Sequence, residues 1–134
     1  MKKIIPVLLI MVLFSACVKN QKKTPCNTQV CTDIFAYITV KIVDKNNQPT
    51  VVSDYKVLDL RTNMAIKTTP LPLAAGTYLV ADDSDLKQLS AEGESLQVTA
   101  TDSVETKKTI FKVSGGICAC HVTKIAGPDT IKFN

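Results

Sequence analysis

Tryptophan is absent from these 134 residues, histidine occurs once, and the aromatic rings are four Phe and three Tyr. So few rings leave little for a platform that stacks sugars or bases, and most of them fall at core-compatible strand positions. With one histidine, His121, any Ser-His-Asp or Cys-His set has to be built around it, and no nucleophile elbow occurs in the sequence. There is no phosphate loop and no dinucleotide fingerprint. A dominant charge is missing too. The formal net charge is +4, but Lys2, Lys3, Lys19, Lys22 and Lys23 all lie before Cys26. From Cys26 onward 11 basic side chains face 12 acidic ones, a balance of −1. A near-neutral domain has no electrostatic footprint for nucleic acid, and that class is set aside.

What is present begins at the start of the chain. Lys2 and Lys3 precede an apolar run over residues 4–14, closed by Ser15, Ala16 and Cys17. That is the layout of a secretory signal. The uncharged stretch 4–18 falls short of the roughly 20 residues of a spanning helix. Leu13-Phe14-Ser15-Ala16-Cys17 resembles the bacterial lipobox, with Phe14 where Leu is commoner. The resemblance implies cleavage after residue 16 and acylation of Cys17. Removing residues 1–16 leaves 134 − 16 = 118 residues, one domain by the usual size range. Residues 17–25 read as a lipidated tether and 26–134 as that domain. The eight residues 18–25 span roughly 26–29 Å when stretched. Their three lysines suit a solvated tether better than a lipid-binding patch. The tail lacks an acidic run that resembles a surface-export tag, so the expected address is the outer membrane, on its periplasmic face.

Four cysteines remain, namely Cys26, Cys31, Cys118 and Cys120. An even count in an exported chain reads as disulfides. Read as part of a strand over 117–125, Cys118 and Cys120 sit about 6.6 Å apart, at the long end for a relaxed bond. Two bridges from Cys26 and Cys31 to that strand are therefore expected, with the pairing open. Each closes a loop of more than 80 residues, for which chain entropy gives about 4–5 kcal/mol when one bridge acts alone. A four-cysteine zinc site is the geometric alternative, but an oxidising compartment favours bridges. His121 would lie on the opposite strand face from both cysteines, as a structural or surface residue.

Residues 34–43 (IFAYITVKIV) form the clearest strand, with Ile34, Ala36, Ile38, Val40 and Ile42 on one face. Its other face is partly covered, which suits a central strand. Further strands are expected at 55–60, 64–67, 76–81, 95–101, 106–113, 117–125 and 130–133, with an extended crossing at 70–73. Ser84 is placed to cap one helical turn with Leu86 and Leu89 inward. Seven or eight short strands with turn signals every 8–12 residues indicate an all-β, antiparallel sandwich. Asp44, Asn47, Pro49, Gly76 and Tyr78 then carry a resemblance to carboxypeptidase-regulatory or transthyretin-like modules over about a third of the chain. The overall layout also resembles uncharacterised lipoproteins of Bacteroides-type bacteria. The first resemblance implies an Ig-like or transthyretin-like sandwich; the second implies a sandwich and an envelope address, and no known activity.

Asp82, Asp83 and Asp85, with Glu92 and Glu94 nearby, form an acidic loop of the kind that can hold calcium. The EF-hand spacing is missing, and solvated charge is the plainer reading. Phe35 and Tyr37 fall on the less apolar face of the first strand and are the pair to check for exposure. The expectation is a non-enzymatic, lipid-anchored envelope module without a cofactor that binds another protein. The rival is a small-molecule or metal carrier that uses a sandwich cleft or the cysteine cluster.

Overall fold

The structure is a computed structural model that describes Cys26 and residues 30–67 and 73–134. The leader 1–16, Cys17, the tether 17–25 and most of the expected crossing 70–73 lie outside the described residues. Eight strands follow one another: β1 (Tyr37–Val43), β2 (Asp54–Asp59), β3 (Met64–Ala65), β4 (Thr77–Asp82), β5 (Glu94–Thr101), β6 (Thr106–Ser114), β7 (Thr123–Ala126) and β8 (Thr130–Lys132). They make a sheet in the order β4-β1-β8 and a second in the order β3-β2-β5-β6-β7. The domain is a β-sandwich. Every pairing is antiparallel except β1 with β8, which run parallel. As expected, β1 is a central strand.

The core follows from the two-residue period of strands. Ile38, Val40 and Ile42 of β1 face Leu96, Val98 and Ala100 of β5 through Phe111, Val113, Ile131 and Phe133, all at most 8% exposed. Phe111 and Phe133 are the largest fully buried side chains. Burying a ring of that size contributes about 1.5–3 kcal/mol. In β4 the alternation expected of Tyr78, Leu79 and Val80 fails. A bulge against Ile38 and Thr39 puts Leu79, Val80 and Ala81 all out of water, as an extra residue in a ladder can.

The far end of β1 is closed by turn chemistry. Asp44 Oδ1 accepts from the Asn46 and Gln48 N–H groups at 2.8 and 2.9 Å, and Asn47 takes a φ of 61°. Pro49 then bridges back to Val43. Gly76 sits against this turn at φ 71°, where a Cβ would lie 2.8 Å from both Ile42 O and Pro49 Cβ. Only glycine fits that conformation and that gap. Tyr78, two residues on, stacks on Tyr55 with ring centroids 4.8 Å apart and accepts from the Val52 N–H. Burial, with the Tyr78 ring beside it, raises the Tyr55 hydroxyl well above the ordinary tyrosine value, and that hydroxyl donates to Leu79 O at 2.8 Å. The residues that carried the resemblance are thus one packed corner.

Three further expectations need correction. The first strand starts at Tyr37 and not at Ile34, which is 72% exposed. The Ala36 N–H leaves the ladder to bond the Asp83 carboxylate, so the sheet begins one residue later. Ser84 does not cap the single turn. Asp82 does, accepting from the Ser84 N–H, and the turn is a three-residue 3-10 helix, Asp83–Asp85. The strand placed at 117–125 is only Thr123–Ala126. Residues before it form a turn in which the Ala119 N–H bonds Gly116 O, so the two-face reading of Cys118, Cys120 and His121 does not hold.

Candidate functional site

The end of the sandwich opposite the Asp44 turn gathers most of the polar and sulfur chemistry. Cys26 is bonded to Cys118 and Cys31 to Cys120, each with Cα atoms 5.2 Å apart. Both bridges run from the N-terminal segment to the Cys-x-Cys turn. The pairing left open in the sequence is therefore settled in parallel order.

Non-covalent contacts lie beside them. Asp83 Oδ2 accepts from the Ala36 N–H at 2.8 Å, and Oδ1 accepts from the Val122 N–H at 2.8 Å. Oδ2 also lies 2.7 Å from His121 Nδ1, and His121 Nε2 lies 3.0 Å from Thr32 Oγ1. A carboxylate can only accept, so the Asp83 contact fixes a proton on Nδ1. Nε2 then accepts from the Thr32 hydroxyl when the ring is neutral and donates to it when the ring is charged. Burial pushes the Asp83 carboxyl up. The Ala36, His121 and Val122 hydrogen bonds and the His121 charge outweigh that and hold it below the ordinary value. One carboxylate thereby ties its own segment to two others, 47 residues before it and 38 to 39 residues after it.

Against protein-family models, curated proteins and solved structures, the chain has no match. Its chemistry is read from these residues alone.

The other acidic side chains of the loop do not converge with Asp83. Asp82 Oδ1 accepts from the Ser84 N–H and hydroxyl, and Asp85 Oδ2 accepts from the Asp82 N–H at 3.0 Å. Burial raises the Asp85 carboxyl; the Asp82 N–H offsets part of this and the Asp82 charge adds to it. Glu94 is buried and paired with Arg61 Nε at 2.8 Å. Asp82 and Asp85 thus bond backbone, whereas Glu94 pairs with a side chain. Among the described residues no group of three or more His, Cys, Asp or Glu is arranged to hold a metal ion.

Phe35 and Tyr37 are 54% and 55% exposed, so the pair that sequence reasoning singled out does face water. Two open depressions of about 470 Å³ each lie outside the core. One crosses the outer face of the five-stranded sheet, over Lys56, Gln97, Thr99 and Lys108. The other lies beside the bridges, over Gly116, Ile117, Cys118 and His121. The space between the sheets is filled by the core side chains.

Sequence reasoning missed Thr32 and the Asp83–His121 pair. One signal was available. Thr32 and His121 are the residues that follow Cys31 and Cys120, so pairing those two cysteines brings their successors together. The resulting hydroxyl–imidazole–carboxylate order is that of acyl-transfer enzymes. Here the carboxylate also holds two backbone N–H groups from different segments, which is the arrangement of a clamp.

Proposed function

We propose that the protein is a non-enzymatic, lipid-anchored component of the bacterial cell envelope, a binding or assembly module whose partner is another protein. Its address on this reading is the periplasmic face of the outer membrane, with Cys17 as the acylated residue. The observation that carries the proposal is the fastening of the N-terminal segment. Cys26, which directly follows residues 18–25, is bonded to the sandwich, and Cys31, five residues later, is bonded again. A rigid head at the end of a short tether suits presentation of a surface better than turnover. His121 and the acidic loop support the same reading, because their polar atoms are engaged in the protein's own hydrogen bonds. The partner is best met at an unpaired sheet edge, where an added strand finds free backbone groups; β7 is such an edge.

The carrier reading loses its sulfur donors, since all four cysteines are in bridges and metal binding needs thiolates. Native and denatured thiol titration is expected to find none free. Cross-linking in intact envelopes followed by mass spectrometry is expected to capture one recurrent protein neighbour, joined through lysines near β7. Turnover of a substrate by purified protein, lost in both Thr32→Ala and His121→Ala, overturns the proposal.

A further inference from the structure

Eleven large apolar side chains are exposed among the described residues, and five of them are Val30, Ile34, Phe35, Tyr37 and Ile117. Val30 adjoins Cys31 and Ile117 adjoins Cys118, so the two bridges draw them to the same end of the sandwich. Ile34 and Phe35 directly precede Ala36, which Asp83 holds beside Val122. Val30 and Ile117 are 94% and 67% exposed, and exposed apolar side chains gathered at one end mark an interaction surface. Of the other six, Leu60 and Met64 belong to the β2–β3 hairpin and Ile125 to β7, at the side of the five-stranded sheet, whereas Val51 and Val104 lie toward the opposite end of the strands. Val104 lies in the turn between β5 and β6, beside Glu105, which accepts from the Asn134 N–H at the far end of the domain.

We propose that this apolar rim rests in the interface of the bilayer that holds the anchor, so that the domain stands with its bridged end on the membrane. The inference rests on the lipid-anchored reading above. Its occupant follows from the chain outside the described residues. Residues 18–25 reach at most about 29 Å, and they end at Cys26, which is fastened to this end of the domain. The rim is thus the part of the sandwich kept nearest the lipid, where its effective concentration at the surface is high. Aliphatic side chains with a phenyl ring and a phenol are the types that settle at the headgroup–acyl boundary. The bridges keep the rim in place. Opening them would free residues 26–35 from the sandwich and more than double the length of tether.

The absence of tryptophan makes the test site-specific. Phe35→Trp, Ile117→Trp and Val104→Trp each place one reporter in the full acylated chain, and a thiol assay checks that the bridges formed. The proteins are reconstituted on phosphatidylethanolamine–phosphatidylglycerol vesicles, with or without brominated acyl chains. The expected result is blue-shifted emission and strong quenching at positions 35 and 117, with neither at 104. Flotation without preferential quenching at 35 and 117 overturns the inference and leaves the anchor standing. Failure of the acylated wild-type chain to float removes the anchor, and the inference with it. Protection of position 35 from aqueous iodide in native envelopes but not on vesicles assigns the rim to a protein partner instead, which also overturns it.

Discussion

The two ends of β1 are secured by different kinds of chemistry. Before Tyr37, order depends on two covalent bonds and on one carboxylate shared by three distant segments. After Val43, it depends on backbone conformation, namely the local Asp44 turn, Asn47 at positive φ, and Gly76 packed across the chain against Ile42 and Pro49. The first end resists separation of the domain from the chain that leads to it. The second adjoins the paired ends of β1 and β4. On the lipid-anchored reading proposed above, the covalent bonds stand where the tether would meet the domain.

The largest test of this division is removal of the bridges. They close loops with sequence separations of 92 and 89 residues. Losing the constraint is expected to destabilise the domain by about 4–5 kcal/mol for the first bridge, with less for the second because the loop is already closed. Urea unfolding with and without reductant measures it. A loss below about 1 kcal/mol would mean that the bridges are local hooks, and the contrast between the two ends would fail. Next in size, Gly76→Ala meets both a left-handed backbone and a blocked Cβ position. Its expected cost is about 2–3 kcal/mol, read as a lowered urea midpoint at unchanged slope. An unchanged midpoint would show that the turn corner adapts.

How far each end could be read in the sequence follows the same line. Asp44, Asn47 and Pro49 answer demands set by near neighbours, so their roles are visible as turn chemistry, and the strand ends beside that turn fall within a residue of expectation; Gly76, which the sequence pattern reads as the start of a strand, packs against Ile42 and Pro49 across the chain. The bridged end was legible only as a tendency of two cysteine pairs to meet. Thr32, Asp83 and His121 come together across 38 to 89 residues, and no periodicity encodes that. Residues 117–122 were misread as strand because they are rich in strand-forming residues. The bends at Gly115 and Gly116 and the two bonded cysteines override that preference. At Ser84 the error was smaller: Asp82 and Ser84 are both good caps, and burial of Asp82 decides between them.

Asp83→Asn probes the non-covalent half of the bridged end. One amide oxygen cannot accept from Ala36, Val122 and His121 together, so about 1–3 kcal/mol is expected to be lost near neutral pH. The effect should depend on pH with a definite sign. The Asp83 carboxyl lies lower in the folded protein than unfolded. Its contribution is therefore complete above the unfolded value of about 4 and fades as pH falls through the lowered folded value. Asp85, whose carboxyl is raised, acts in the opposite sense. The difference between wild type and variant, followed by urea unfolding from pH 7 to pH 3, isolates Asp83. A difference that grows toward low pH would contradict the assigned contacts.

The smallest effect expected belongs to Asn47, and it sharpens the comparison most. Its side chain is exposed and meets only Lys132 Nζ at 2.9 Å, an interaction of a kind that contributes little in water. If the turn end is governed by backbone conformation, the φ of 61° should matter more than that contact. Asn47→Ala then costs about 1 kcal/mol, because alanine pays the full steric penalty of a left-handed residue. Asn47→Gly, which loses the same contact, should stay within about 0.5 kcal/mol of wild type, since glycine enters that conformation freely. Equal losses in both variants would assign the stability to the Lys132 contact. The turn would then be held, like the bridged end, by a side chain reaching across the sequence.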